Sequence, residues 1–197
     1  MVPFAGWEMP IQFQGILAEA KIVRTAVGLF DVSHMGRIWV RGEQAVNLLN
    51  WVTTADVLAV SPNRARYTLV CNEDGGILDD CIFYRLGDHE YLLIANAANR
   101  DVVWKWLQRW RDDRFPSVEL EDRTFEVGMI AVQGPQASGL LDQIAGGMSS
   151  ELRPFSCLQG RVAGVDVLVG RTGYTGEDGF ELMPGTSDAV WLWNELK

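Results

Sequence analysis

Residues 129–144, MIAVQGPQASGLLDQI, align without gaps to residues 37–52, RIWVRGEQAVNLLNWV. Ile38, Val40 and Gly42 coincide with Ile130, Val132 and Gly134, and Gln44, Ala45, Leu48 and Leu49 coincide with Gln136, Ala137, Leu140 and Leu141. A repeat of this kind narrows the fold more than any composition does, because two segments with one pattern must solve the same packing problem with the same unit. The pattern is alternation, then glycine, then apolar groups at helical intervals, which predicts strand, turn and helix in each copy.

Around the first copy the chain punctuates itself clearly. Residues 17–27, LAEAKIVRTAV, place apolar groups at helical spacing and predict a helix that stops at Gly28. GRIWVR alternates as a strand, Gly42 turns it, and an amphipathic helix is expected from about Glu43 to Val52. Three strand-like runs follow, ARYTLVC, CIFYRL and EYLLIA, and then a helix over roughly Ala98–Arg111. Its Val102, Val103, Trp106, Leu107 and Trp110 share one face and read as core packing.

Beyond a polar joint at Asp112–Ser117 the order begins again. Each copy is followed by a strand pair containing Glu-Asp-Gly, at Glu73-Asp74-Gly75 and at Glu177-Asp178-Gly179. The expected architecture is α+β: two repeated β-α-β-β-α, ferredoxin-like units packed against each other. Residues 1–116 would hold the N-terminal helix and the first unit, and residues 117–197 the second. The last helix, SDAVWLWNELK, reaches Lys197 before the closing strand of such a unit, so the second unit reads as incomplete.

A formal net charge of −9 and a pI near 4.7 argue against a nucleic-acid or anionic-membrane partner, since both demand clustered Lys and Arg. Cys71, Cys81 and Cys157 are odd in number and widely spaced, which suits buried thiols in a reducing compartment rather than a disulfide framework or a metal site. No apolar run reaches the ~18 residues of a membrane span. The expectation is a cytoplasmic protein, or a mitochondrial matrix protein if the source is eukaryotic.

The candidate chemistry sits in two glycine-rich stretches. In RTGYTGEDGFEL, residues 171–182, Gly173, Gly176 and Gly179 recur at intervals of three, and a hairpin needs neither Tyr174 nor Glu181. In NEDGGILDD, residues 72–80, Asp79 and Asp80 open an otherwise apolar strand, and adjacent strand residues point to opposite faces, so only one of them looks inward. Tyr67 and Tyr84 on the flanking runs add phenols that can share that face. Repeat symmetry is expected to bring Asp80 and Glu181 to a common seam. Acidic residues near turns are more often solvated or capping, so the pattern alone does not make a site. With His34 and His89 as the only histidines, a zinc site or histidine triad lacks raw material, and neither glycine stretch carries the Lys-Ser/Thr of a phosphate loop.

FAGWEMP at 4–10, GLFDVSHMG at 28–36, CNEDGGILDD at 71–80, NAAN at 96–99, AVQGPQA at 131–137 and RTGYTGEDGFEL at 171–182 occur in order over nearly the whole chain. In these motifs the sequence resembles the aminomethyltransferase family, the T-protein of the glycine cleavage system. The resemblance implies a tetrahydrofolate-dependent enzyme that takes a one-carbon unit from an aminomethyl group on the lipoyl arm of H-protein, releasing ammonia. It implies Asp80 as the catalytic carboxylate and Glu181 as the carboxylate gripping the pterin. Tyr67, Tyr84, Asn96 and Tyr174 match residues around the folate, and Met35 lies in a loop lining the same cavity.

A carboxylate at Glu181 suits the two parallel N–H donors of a pterin edge, and one at Asp80 suits proton management at the reacting nitrogens. The chain departs from the family pattern at Pro3, where an acidic residue is usual, and it lacks the later GLGARD motif and the C-terminal barrel-like domain. The alternatives are a folate-dependent demethylase, the folate-binding portion of a sarcosine or dimethylglycine oxidising enzyme, and a non-catalytic folate-binding fragment.

Overall fold

A computed structural model describes residues 1–197. The chain begins with β1 (Val2–Phe4), β2 (Trp7–Met9), α1 (Ile16–Thr25) and β3 (Gly28–Asp31). It continues through β4 (Gly36–Arg41), α2 (Ala45–Val52), β5 (Arg64–Cys71), β6 (Ile77–Arg85), β7 (Glu90–Ala95), α3 (Arg100–Arg114) and β8 (Glu119–Asp122). The remainder is β9 (Ile130–Gln133), α4 (Ala137–Ala145), a short 3-10 turn at Met148–Glu151, β10 (Cys157–Val162), β11 (Val165–Gly170), β12 (Gly179–Pro184) and α5 (Thr186–Glu195).

The repeat is real in three dimensions. One sheet runs in the order β5-β6-β7-β4-β8, and the other in the order β10-β11-β12-β9-β3. Strand for strand, β4 to β7 correspond to β9 to β12, and every neighbouring pair in both sheets is antiparallel. Each repeat is therefore β-α-β-β-β-α, with one strand more than the expected ferredoxin-like unit. The third strand after the helix reverses the chain once more, so β7 reaches β4, and β12 reaches β9, antiparallel. Gly42 and Gly134, matched in the sequence repeat, both have positive φ (109° and 135°), the turn that swings each first strand into its helix.

Two compact units result, and they are cut differently from the expected division at residue 116. Residues 35–124 form one, and residues 1–34 with 125–197 form the other. The cause is strand pairing: β3 completes the sheet of the second repeat beside β9, whereas β8 completes that of the first beside β4.

Each unit has its own core. In residues 35–124, Ile38, Val40, Phe83 and Leu93 pack with Leu48, Leu49, Leu107 and Trp110 of the two helices. In the other unit Ile130, Val132, Val169, Phe180 and Leu182 pack with Leu141 and Leu192. Full burial of each such side chain contributes roughly 1.5–3 kcal/mol before the entropy of ordering it is subtracted.

Element ends shift for local reasons. The helix α1 ends at Thr25, and Gly28 belongs to β3, where a Cβ would lie 2.6 Å from Val23 Cγ2. That glycine thus allows close packing rather than a helix cap. The helix α3 runs on to Arg114 and stops before Pro116, whose ring restricts Phe115. Val103, Leu107 and Trp110 enter the core while Val102, a hundred degrees around the helix from Val103, is exposed. No helix is long and apolar enough to cross a membrane.

Candidate functional site

The sheet registers decide which side chains keep company. Within residues 35–124, β6 sends Cys81 and Phe83 into the helix-covered core, so Asp80, Ile82 and Tyr84 lie on the opposite face. Tyr67 pairs with Ile82, Leu69 with Asp80, and Ile82 with Ile94, placing Tyr67, Asp80 and Tyr84 on one face with Asn96 just past the end of β7. Tyr84 is buried, Tyr67 is 42% exposed and Asp80 is exposed. Three of the sequence-predicted residues thus share the helix-free side of a single sheet, and Asn96 stands at the strand end, within reach of both Asp79 and Asp80. Met35, the fifth in this unit, is buried at the entry to β4, and its carbonyl accepts a bond from the Arg37 guanidinium.

Asp79 and Asp80 divide as strand alternation requires. Asp79 is 2% exposed. Its carboxylate accepts from the Asn96 backbone N–H at 2.8 Å, Asn96 Nδ2 at 2.9 Å, Asn99 Nδ2 at 2.7 Å and Cys81 Sγ at 3.1 Å. Asn96 Nδ2 also lies 2.9 Å from Asp80 Oδ1 and 2.7 Å from the Asp80 carbonyl. Burial, and then the neighbouring Asp79 charge, push the Cys81 thiol far up, so it stays protonated.

Tyr174 and Glu181 belong to the other unit. The connection from β11 to β12 is an eight-residue loop, residues 171–178, rather than a tight turn. The counterpart of the β5–β6 turn is Ala163-Gly164 between β10 and β11, with φ of 49° and 81°, so the two Glu-Asp-Gly tripeptides are not equivalent positions. Aligning β12 on β7 through their partners β9 and β4 sets Phe180 against Tyr91 and Glu181 against Leu92. Glu181 is therefore a carboxylate at a position that the first repeat fills with leucine. It is 2% exposed, and the Thr172 hydroxyl donates to its Oε2.

Gln133, 1% exposed, organises the loop: its Nε2 donates to the Thr172 carbonyl at 3.1 Å and its Oε1 accepts from the Thr175 hydroxyl at 2.8 Å. Gly173 and Gly179 flank that amide, and a Cβ on either would collide with it. Tyr174 stands 57% exposed and lines a cavity of about 720 Å³ with Trp7, Phe13, Phe30 and His34. Arg24 Nη1 fixes the same loop from α1, donating to the Thr175 carbonyl at 2.6 Å and to Glu177 Oε1 at 3.0 Å.

Sequence reasoning named Asp79 without giving it a part, and passed over Thr172 and Gln133. A usable signal existed for Asp79 in Asn96 and Asn99, two amide donors three residues apart beside the start of a helix.

The family model described as the GCVT N-terminal domain matches residues 1–197. The chain belongs to that family. Among curated relatives of this GCVT domain, an aminomethyltransferase of Geobacillus kaustophilus is 47% identical over 196 residues, 99% of this chain and 53% of the relative. The aminomethyltransferase of Bacillus subtilis is 39% identical over 196 residues, again 99% of this chain and 53% of the relative. The chain thus spans about half the length of the curated relatives it matches. The crystal structure of glycine cleavage system aminomethyltransferase T from Bartonella henselae superimposes with a TM-score of 0.90 at 35% identity, over 99% of this chain and 52% of that one. A chain of the heterotetrameric sarcosine oxidase of Corynebacterium sp. U-96 shares the fold, with a TM-score of 0.63 at 18% identity over 91% of this chain and 90% of that one.

Proposed function

We propose that this GCVT domain carries the folate-handling residues of a glycine-cleavage aminomethyltransferase. The donor is an aminomethyl group on the lipoyl arm of H-protein, and the products are ammonia, reduced lipoyl H-protein and 5,10-methylenetetrahydrofolate. When bound, tetrahydrofolate supplies the two nitrogens that accept the one-carbon unit.

The observation that carries the reading is Asp80: an accessible carboxylate held by an amide on the sheet face that also carries Tyr67 and Tyr84. Such a group can hold or pass a proton and stabilise positive charge that develops beside it. Glu181 fits the pterin chemically, because a buried carboxylate on an apolar strand is an acceptor matched to two parallel N–H donors. Tyr174 offers an exposed aromatic face for stacking, Asn96 orients Asp80, and Met35 lines the approach.

Titration calorimetry of the folded 197-residue chain with tetrahydrofolate tests the proposal. Saturable binding that Glu181→Gln weakens is the expected result. Absence of binding, both in this chain and in a chain extended to the length of its relatives, would overturn it.

A further inference from the structure

We infer that Asp79 is the positioning residue of the site: it clamps Asn96 so that the Asn96 amide holds the Asp80 carboxylate in one orientation. The inference rests on the role proposed above for Asp80, and it adds a residue that the sequence motifs left without a part.

Accessibility rules out Asp79 as the reacting group. It is 2% exposed, and the four donors around it occupy the lone pairs of both its oxygens. A carboxylate so buried is tolerable only when fully bonded, and three of its four bonds come from one short turn between β7 and α3. Two of them grip Asn96 at both backbone and side chain, and a third grips Asn99, the residue just before α3. The turn is therefore fixed from beneath the sheet.

Asn96 converts that fixation into geometry on the other face. Its Nδ2 lies 2.9 Å from Asp79 Oδ1 and 2.9 Å from Asp80 Oδ1, so a single amide group bridges the buried and the accessible carboxylate around the strand. An acceptor at Asp79 also fixes which end of the Asn96 amide faces the strand: the nitrogen is turned toward both carboxylates, where the oxygen would repel them. Asp80 is left with one oxygen bonded and the other available on its exposed side. The Asp80 carbonyl, 2.7 Å from the same Nδ2, favours the same end of the amide, and Asp79 adds what that carbonyl does not supply, a second grip through the Asn96 backbone N–H that holds the residue in place.

The test is the side-chain rotamer of Asp80, read by three-bond α–β proton couplings in the 197-residue chain, together with steady-state kinetics. In the wild type the couplings should report one rotamer. Asp79→Asn should average them while leaving core amide shifts in place, and should lower kcat roughly 10- to 100-fold, the loss of about one charge-assisted bond, with KM for tetrahydrofolate nearly unchanged. If Asp79→Asn fails to fold, Asn96→Ala removes only the bridge and must release Asp80 in the same way. Asn99→Ala, which takes a donor from Asp79 but leaves the bridge, should lower the melting temperature and leave the Asp80 couplings intact. A locked Asp80 in folded Asp79→Asn or Asn96→Ala would overturn the inference. The couplings report whether or not the chain binds folate, so failure of the proposed function and failure of this inference are separate results.

Discussion

Arg171 holds Asp178 through two parallel bonds, Nε to Oδ1 at 2.9 Å and Nη2 to Oδ2 at 2.6 Å, and so ties together the two ends of the loop that carries Tyr174. The same guanidinium donates to the Leu152 carbonyl at 2.8 Å, and Ser138 Oγ donates to Asp178 Oδ2 at 3.0 Å.

That clasp has a pH signature. The Arg171 guanidinium, followed by the Ser138 bond, holds the Asp178 carboxyl below the usual carboxylate range against the opposing effect of burial. A carboxyl depressed in the folded state stabilises the fold above its unfolded value, ~3.9, and loses that contribution as pH falls through the lower, folded value. Asp178→Asn should therefore lower the urea midpoint at pH 7 and have a vanishing effect near pH 2. With Asp178 40% exposed, the difference at pH 7 should be about 1 kcal/mol or less. A midpoint difference that persists unchanged into acid would mean that the pair acts through packing rather than charge.

Gly173 and Gly179 make room for Gln133, and the two sites should respond differently. At Gly173 an added methyl would meet the Gln133 side-chain amide, whereas at Gly179 it would also meet the Val132 carbonyl, which is backbone and cannot rotate away. Gly179→Ala should destabilise by roughly 1–3 kcal/mol, and Gly173→Ala by less. Shortening Gln133 should relieve the second clash and not the first. In a double-mutant cycle by denaturant unfolding, Gly173→Ala and Gln133→Ala should be less than additive, while Gly179→Ala keeps most of its effect.

Arg37 is fully buried, and its guanidinium donates to the carbonyls of Met35 and Thr124, the two residues at which the chain enters and leaves one compact unit. A planar fork can reach two carbonyls at once, and an ammonium on a flexible stem cannot do so with the same geometry. Arg37→Met, which keeps much of the volume, should lower stability by about 2–4 kcal/mol, through loss of bonds worth roughly 1.5–3 kcal/mol each when one partner is charged. Arg37→Lys should recover only part of that. Recovery to the wild-type urea midpoint by lysine would show that charge, rather than the fork, is what the position requires.

The repeat made the strand-turn-helix pairs legible, because Gly42 and Gly134 mark the same backbone turn and the apolar spacing behind them is the same. It did not reveal that Glu181 stands where the first repeat has Leu92. The loop before β12 is longer than the one before β7, so the gapless alignment is lost between them, and only the register across β9 and β4 restores it. The shared Glu-Asp-Gly misled for a related reason: turns of different rank in the fold draw on the same small set of residues. Nothing local announces that β3 pairs with β9 about a hundred residues later, since edge pairing depends on which strand has a free side. Which of Asp79 and Asp80 faces the core was open until Cys81 and Phe83 fixed the parity of β6.

Asp80 and Glu181 sit in different compact units and should fail in different ways. Asp80 is exposed and held by a single amide, so replacing its carboxylate by an amide keeps the shape while removing the charge and the proton site. Asp80→Asn should leave tetrahydrofolate affinity within a few-fold and reduce turnover on the order of 10²–10⁴-fold. Glu181 is buried beside the Thr172 hydroxyl, and under the role proposed for it a Gln in its place would present one donor where two N–H groups of a pterin need acceptors. A mismatch of that kind leaves a buried polar group unpaired, so Glu181→Gln should weaken folate binding itself by roughly tenfold or more. Calorimetry separates the two variants before any turnover is measured. Equal loss of affinity in both would mean that one pocket property, rather than two divided roles, governs the pair.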